Sequence, residues 1–282
     1  MLTVVLPNLS GSEAINLTKK ICSTLSSLGA DYYLTEEASD KLGIKNTAGI
    51  DYQTALSSCD AVIAVGGDGS IIHAAKEAIN YSKPVLGINA GRLAFMAGLE
   101  SDEIELLSRL INKDYKIDSR FMLKMTIYDA DGNETSDYAL NECFITNEEK
   151  QRMSAINIAL NGNIFNSYLC DGIILATPTG STAYSLSAGG PVVDPLLESI
   201  LFTPVCPHSL VGRSIIFRPD DVLTVFSAEG VNLYCSNDGG KPFFIGNNSK
   251  VVVSRADCTA DFIRIKSDNF IDILYKKLAQ RR

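Results

Sequence analysis

Ala61-Val-Ile-Ala-Val-Gly-Gly-Asp-Gly-Ser-Ile-Ile-His-Ala-Ala75 is the stretch on which the fold turns. Ala61 to Val65 is an apolar run of buried-strand length, Gly66-Gly67-Asp68-Gly69 is a turn, and a helical pattern opens at Ser70 with no linker. Three glycines let a backbone take dihedrals closed to other residues and leave no side chain between main-chain N–H groups and a ligand. The helix that follows adds partial positive charge at the same point, so the turn suits an anion, phosphate above all. One carboxylate, Asp68, stands in this cradle. A carboxylate repels phosphate, so its presence needs a chemical reason, and meeting the hydroxyl to which phosphate is transferred supplies one. A turn in which Asp68 simply caps the following helix accounts for the same residues, and the motif alone does not decide between the two.

Composition bounds the rest. A chain of 282 residues, 46% hydrophobic and 21% charged, is that of a soluble globular protein with one large α/β domain or two ordinary ones. A formal charge of −8 argues against nucleic acid as a partner, because phosphate backbones are held by clustered Lys and Arg. The basic cluster Lys276-Lys277 with Arg281-Arg282 reads as a solvated helix terminus. No apolar segment approaches the roughly 20 residues needed to cross a bilayer, so no membrane is expected. Met1-Leu-Thr-Val-Val-Leu-Pro7 resembles a first strand and lacks the basic region and long apolar stretch of a secretion signal. Seven cysteines without a Cys-x-x-Cys pair suit a reducing cytoplasm, and with His73 and His208 as the only histidines a structural zinc site is not expected.

Outward from the glycine turn, strand and helix signals alternate. Strands are predicted over Leu2 to Leu6, Asp31 to Leu34, Ala61 to Val65 and Pro84 to Ile88, and helices over Glu13 to Leu28, Ser70 to Asn80 and Asp102 to Asn112. Glu36 to Asp51 is polar and reads as loop with partial helix. This alternation predicts a Rossmann-like parallel sheet covered on both faces, with ligands bound beyond the carboxyl ends of its strands. From about Phe121 the pattern changes to short alternating runs divided by turn signals. Asp131-Gly132 separates Leu123-to-Tyr128 from Tyr138-to-Ile145, and Asn161-Gly162 separates Ile156-to-Leu160 from Ile164-to-Leu169. Ile173 to Ala176, Ile215 to Phe217, Val222 to Ser227, Val231 to Cys235 and Lys250 to Val253 continue the series. The expected organisation is an α/β domain over 1–118, an antiparallel β-rich sandwich over 119–266, and a C-terminal helix in 267–282 that returns to the first domain.

A second motif weighs on the first. Asp171-Gly-Ile-Ile-Leu-Ala-Thr-Pro-Thr-Gly-Ser-Thr-Ala-Tyr-Ser-Leu-Ser-Ala-Gly-Gly-Pro191 places five hydroxyl residues between Thr177 and Ser185, with Gly180 and Tyr184 among them. Small residues and hydroxyls at this density suit a polar ligand pressed close to backbone, and the Tyr184 ring suits a base lying against it. A serine/threonine-rich loop satisfying its own backbone is the plainer reading. It leaves unexplained the length of the segment, its lack of charge after Asp171, and its Gly189-Gly190-Pro191 end.

Gly66-to-Gly69, Gly87-Ile-Asn-Ala-Gly-Arg-Leu-Ala-Phe95, Asn141-Glu142 and Thr177-to-Pro191 occur in this order with separations that resemble the NAD kinase family, including its polyphosphate-using members. The resemblance runs from about Leu2 to Lys266; Gly-Gly-Asp-Gly is shared with lipid kinases and phosphofructokinases, whereas Thr-Pro-Thr-Gly-Ser-Thr-Ala-Tyr is highly specific. It implies an enzyme that phosphorylates the 2′-hydroxyl of the adenosine ribose of NAD to give NADP. Carried over position by position, it implies that Asp68 orients the hydroxyl and takes its proton, with Gly69 beside it. Asn141 and Glu142 would bind hydroxyl and amide groups of the dinucleotide, and Thr182, Ala183, Tyr184 and Ser187 would line the nucleoside pocket. Asp171 would reach NAD too, often across a subunit boundary. His73 and Arg152 fall where the family often has basic residues near the phosphates, though a helix histidine and a solvated loop charge beside Glu148, Glu149 and Lys150 explain them equally. Two departures stand out: Ala94 where the family usually has glycine, and Gly240 in Asn237-Asp238-Gly239-Gly240 where it often has glutamine.

The implied partners are NAD and ATP, with Mg²⁺ or another divalent cation carried by ATP and no tightly bound protein metal, in a cytoplasmic homo-oligomer (dimer or tetramer). No Walker-type Gly-Lys-Ser/Thr run exists, so neutralisation of phosphate falls to backbone N–H groups and the cation. A lipid or sugar kinase sharing the glycine turn, and a dinucleotide-binding regulator without catalysis, are the alternatives. The Thr177-to-Pro191 motif speaks against the first and Asp68 against the second.

Overall fold

The computed structural model describes residues 1–91, 94–147, 154–208, 212–227, 231–267 and 270–279. The chain forms two compact units, Met1–Ser119 with Ala260–Arg282, and Arg120–Thr259.

The first unit contains β1 (Leu2–Pro7), α1 (Ser12–Ser27), β2 (Asp31–Leu34), α2 (Glu36–Leu42), α3 (Tyr52–Ser58), β3 (Ala61–Gly66), α4 (Asp68–Ala78), β4 (Val85–Asn89), α5 (Leu107–Ile111) and β5 (Lys116–Arg120). The sheet order is β2-β1-β3-β4, then the strand Ala260–Arg264, then β5. β1 runs parallel to β2 and β3, and β3 to β4, with Gly66 opposite Asn89. Every residue of β3 is buried, as expected for a strand covered on both faces. α1 lays Ala14, Leu17, Ile21, Cys22 and Leu25 on the sheet at three- and four-residue spacing, and stops where Gly29 turns left-handed at φ 70°. α2 is the helical part expected within the polar stretch, capped by Thr35. α3 begins after the expected loop, where the Asp51 carboxylate accepts the Thr54 N–H.

Spacing predicts a helix from Ser70, but α4 opens at Asp68, so Asp68 and Gly69 lie in its first turn. The turn itself also differs from expectation. None of Gly66, Gly67 and Gly69 is left-handed. Gly66 is required by packing, since a Cβ there would meet Ser70 Oγ at 2.5 Å. A Cβ at Gly67 or Gly69, by contrast, would meet open space beyond its own chain neighbours and helix backbone.

The second unit is all-antiparallel: β6 (Leu123–Tyr128), β7 (Glu134–Ala139), β8 (Glu142–Asn147), β9 (Ser154–Leu160), β10 (Asn163–Cys170), β11 (Gly172–Ala176), β12 (Ile200–Val205), β13 (Ile215–Phe217), β14 (Leu223–Ser227), β15 (Leu233–Asn237), β16 (Phe243–Ile245) and β17 (Lys250–Arg255). Two six-stranded sheets, β10-β9-β14-β17-β6-β7 and β13-β12-β11-β8-β15-β16, share one core. Leu123, Met125 and Ile127 face it from one sheet and Cys143, Ile145, Leu233 and Cys235 from the other, the period-two signature of a sandwich. The Asn161-Gly162 hairpin has φ of 50° and 83°, both positive as a type I′ turn requires.

Two expectations are corrected here. Tyr138 to Ile145 is not one strand: the chain leaves β7 at Ala139 and enters β8, in the other sheet, at Glu142. The amides of Leu140, Asn141 and Glu142 turn to a side chain there rather than to a ladder. The sandwich also ends at Thr259 rather than 266. The next residues form β18 (Ala260–Arg264), which enters the first unit's sheet with Phe262 parallel to Val85. After it comes α7 (Phe270–Ala279), grouped with the same unit.

Candidate functional site

The carboxyl end of β3 is where the first unit presents its chemistry. Asp68 is half-buried, and its two oxygens accept the backbone N–H groups of Phe95 (Oδ2, 2.9 Å) and Met96 (Oδ1, 2.9 Å). A carboxylate oxygen has two acceptor sites, so each keeps one for a further donor. Being the first residue of α4, Asp68 adjoins amides that find no carbonyl within the helix. Open space next to Gly67 and Gly69 leaves that backbone accessible. At the end of β4, Asn89 is buried, donates to Glu100 at 2.7 Å and accepts the Gly91 N–H at 2.9 Å. Ala94, the departure from family glycine, is fully buried. Arg92 and Leu93 of the same motif lie outside the described residues.

His73 is not brought to this turn. Five residues along α4 place it about 140° round the helix from Asp68. Its side chain is 76% exposed, with Nδ1 3.6 Å from Glu77 Oε1. Arg152 lies outside the described residues.

In the second unit a different aspartate organises the site. The Asp238 carboxylate accepts three consecutive backbone N–H groups, from Leu140 (2.9 Å), Asn141 (2.7 Å) and Glu142 (3.0 Å), and the Asp238 N–H donates back to the Glu142 carbonyl at 2.9 Å. Asp238 and Gly239 are both left-handed, at φ 53° and 68°, which aims the carboxylate at the crossing between β7 and β8. Gly240 closes the turn by donating to the Asn237 carbonyl at 2.9 Å, and a Cβ there would press on that oxygen at 3.0 Å. Sequence reasoning marked Asn237-to-Gly240 only for the departure at Gly240 and assigned Asp238 no role.

Thr177 braces the same crossing. Its hydroxyl donates to the Leu140 carbonyl at 2.6 Å and accepts the Gly180 N–H at 3.0 Å, while its own N–H donates to the Asn141 carbonyl at 2.8 Å. Gly180 has to be glycine, because a Cβ would lie 2.0 Å from the Asn141 oxygen.

Glu142 is 8% exposed. Burial first, and then the neighbouring Asp238 charge, push its carboxyl up to about 7, against a hydrogen bond from the Tyr184 backbone N–H. Its Oε2 is buried without a partner among the described residues, and so is Asn237 Oδ1, whose amide nitrogen donates to Asp137 at 3.1 Å. Buried acceptors left open in this way are uncommon and suit a ligand hydroxyl or amide.

The hydroxyl-rich loop divides in two. Thr177, Ser181 and Ser185 are buried and spend their hydroxyls internally: Ser181 on the Val193 backbone (3.1–3.2 Å) and Ser185 on Thr203 Oγ1 (3.1 Å). For these residues the plainer reading of a self-satisfied loop holds. Thr182 is buried as well, whereas Ala183 is half-buried and Tyr184 and Ser187 are exposed. Tyr184 is 41% exposed, and its ring forms a T-shaped pair with Phe144 at 5.1 Å between centroids.

Asp171 stands apart. It precedes β11 while Thr177 follows it, so the two lie roughly 20 Å apart along the strand. Its side chain is exposed and its carbonyl accepts the Thr146 hydroxyl at 2.8 Å. The Tyr184 ring, by contrast, packs on Phe144, whose own ring lies beside Gly172, the residue after Asp171.

Comparison with known proteins bears on this arrangement. Residues 6–115 match the family described as ATP-NAD kinase N-terminal domain, and residues 140–265 match ATP-NAD kinase C-terminal domain. The NAD kinase of Thermoanaerobacter sp. (strain X514) is 36% identical over 279 residues, 98% of each chain. That of Symbiobacterium thermophilum is 37% identical over 94% of each. Among solved structures, yeast NADH kinase complexed with NADH superposes with a TM-score of 0.90 at 23% identity, covering 99% of this chain and 87% of that one. An NAD kinase from Archaeoglobus fulgidus in complex with ATP gives 0.76 at 22% identity, covering 99% and 98%. At those identities the two structures speak for the fold.

Proposed function

This chain belongs to the NAD kinase family, and we propose that it transfers the terminal phosphate of ATP to the 2′-hydroxyl of the adenosine ribose of NAD, forming NADP. The observation that carries the reading is the Asp68 carboxylate, held by two amides at a turn whose glycines leave backbone open to a ligand. A helix cap would need no such grip.

Phosphoryl transfer asks the protein for in-line positioning and for neutralised charge. The ribose hydroxyl oxygen forms a bond to the γ-phosphorus as the bond from phosphorus to the bridging oxygen of ADP breaks. A carboxylate is a weak base towards such a hydroxyl, so Asp68 orients it early and takes its proton late. Main-chain N–H groups at Gly67 to Gly69 face the phosphates, and Mg²⁺ enters as part of the ATP substrate. In the sandwich, Asn141 and Glu142 bind hydroxyl and amide groups of the dinucleotide, and Thr182, Ala183, Tyr184 and Ser187 line its nucleoside pocket. The open Glu142 Oε2 and the exposed Tyr184 side chain support those roles. Asp171 serves NAD bound to a second copy, which makes the protein a homo-oligomer. Its exposed side chain supports that assignment. A cytoplasmic setting agrees with seven free cysteines.

The test is to incubate the protein with NAD, ATP and Mg²⁺ and to measure NADP with an NADP-specific dehydrogenase. NADP formed by the wild type and lost in Asp68→Asn supports the reading, and no NADP from a folded protein sinks it. Polyphosphate in place of ATP, and NADH in place of NAD, define donor and acceptor range in the same assay.

A further inference from the structure

We propose that Arg264 is a positioning residue for the catalytic carboxylate of Asp68, an inference that rests on the role given to Asp68 above. Asp68 and Arg264 hold one short segment from two sides. From α4, the Asp68 oxygens accept the N–H groups of Phe95 and Met96, both at 2.9 Å. From β18, Arg264 Nη1 donates to the carbonyls of Met96 and Ala97, both at 3.1 Å. Four successive peptide units are thereby engaged: the first two donate to the carboxylate and the next two accept from the guanidinium. The segment cannot slide or rotate without breaking bonds on one side.

The guanidinium is itself fixed. Its Nε donates to Asp118 Oδ2 on β5 at 3.0 Å, and the two side chains are only 18% and 13% exposed. Its carbon lies over the Phe262 ring at 5.7 Å. The segment also rests directly on β18, because a Cβ at Gly98 would come within 2.8 Å of the Ile263 carbonyl oxygen. One planar fork thus joins a carboxylate and two carbonyls at once, a geometry open to arginine and closed to the single nitrogen of lysine. The consequence for the chemistry is indirect. Asp68 must face a ribose hydroxyl at hydrogen-bond distance, and the two amides that orient it are only as fixed as the segment that carries them. Misplacement by about 1 Å costs on the order of 100-fold in rate.

The experiment is a double-mutant cycle on the full chain, with turnover, KM for NAD and for ATP, and thermal midpoint measured for Arg264→Met, Arg264→Lys, Asp68→Asn and the Arg264→Met/Asp68→Asn pair. The expected result is a fall in kcat of roughly 10- to 100-fold in Arg264→Met, with either KM changed less than about threefold, and partial recovery in Arg264→Lys. In the Asp68→Asn background the same substitution changes kcat by less than about twofold, because the group it positions is gone. Amide hydrogen exchange gives a second readout: Phe95 and Met96 exchange faster in Arg264→Met than in the wild type. Wild-type turnover in Arg264→Met overturns the proposal. So does an equal loss in both backgrounds, which would assign Arg264 to general stability. If Asp68→Asn keeps wild-type turnover, the role of Asp68 fails first, and amide exchange then reports on the grip alone.

Discussion

Two aspartates in this molecule do the same thing with different ends. Asp68 in the first unit gathers two consecutive amides, and Asp238 in the second gathers three. Both are half-buried. Around Asp68 the neighbouring glycines face open space and no packing requires two of them, so the grip leaves a carboxylate presented outward. Gly239 beside Asp238 faces open space too, but the segment that Asp238 holds is packed: Gly180 lies against the Asn141 carbonyl, and one of the held residues, Glu142, has an unpartnered oxygen. On the function proposed above, the first aspartate is held so that it can react, and the second holds residues assigned to the ligand. A carboxylate accepting consecutive N–H groups is therefore no guide to function by itself, and the surroundings of the segment it holds decide.

The comparison breaks most visibly at Asp68. Asp68→Asn should lower kcat by about 10²- to 10⁴-fold while most NAD affinity remains. Steady-state kinetics check this, and near-wild-type turnover would remove Asp68 from the chemistry. Asp238→Ala should act on the fold instead, since three amides lose their acceptor: about 4 kcal/mol of stability, read from denaturant unfolding. A loss of turnover with unchanged stability would make Asp238 a reacting group and erase the contrast.

Glu142 sharpens it by pH. Its carboxyl titrates at about 7 in the folded chain against an ordinary 4.5, so between those values the native state holds a proton that the unfolded chain has released. Stability from this group is thus full below about 4.5, declines as pH rises through 7, and is lost above it. Unfolding curves at pH 5 and pH 8 should differ by about 3 kcal/mol more in the wild type than in Glu142→Gln. Equal differences would mean that Glu142 ionises as a surface carboxyl does. The smallest effect is expected at Gly69→Ala, where the new methyl meets open space in a helical first turn. Stability should rise by about 0.5–1 kcal/mol while KM for ATP increases. An unchanged KM would show that the bare backbone serves no ligand.

Much of this was legible in the residues. Ala61 to Val65 followed by glycines and a helix gave the strand–turn–helix and singled out Asp68, because strand, turn and helix are adjacent in sequence and each has its own period. Asn161-Gly162 gave a hairpin for the same reason. Asp238 stayed illegible as a grip, since its partners lie about a hundred residues away and a turn of Asn-Asp-Gly-Gly looks alike whether or not it holds anything. β18 went unread as a strand, its residues falling inside the stretch expected as 119–266, because its neighbours β4 and β5 lie still farther away in sequence. The hydroxyls between Thr177 and Ser185 misled in the other direction. Local composition flagged a ligand site, but only packing could tell that Ser181 and Ser185 were already committed to Val193 and Thr203.

Position within the first unit's sheet gives β18 a further meaning at the ribosome. It is the last strand of that sheet to be synthesised, and it belongs between two made much earlier. Every strand of the sandwich, from Arg120 to Thr259, emerges before it. A nascent chain halted at Thr259 carries a complete sandwich and a first unit with a gap in its sheet. Cellular proteases therefore meet the older half of the molecule as the less finished one.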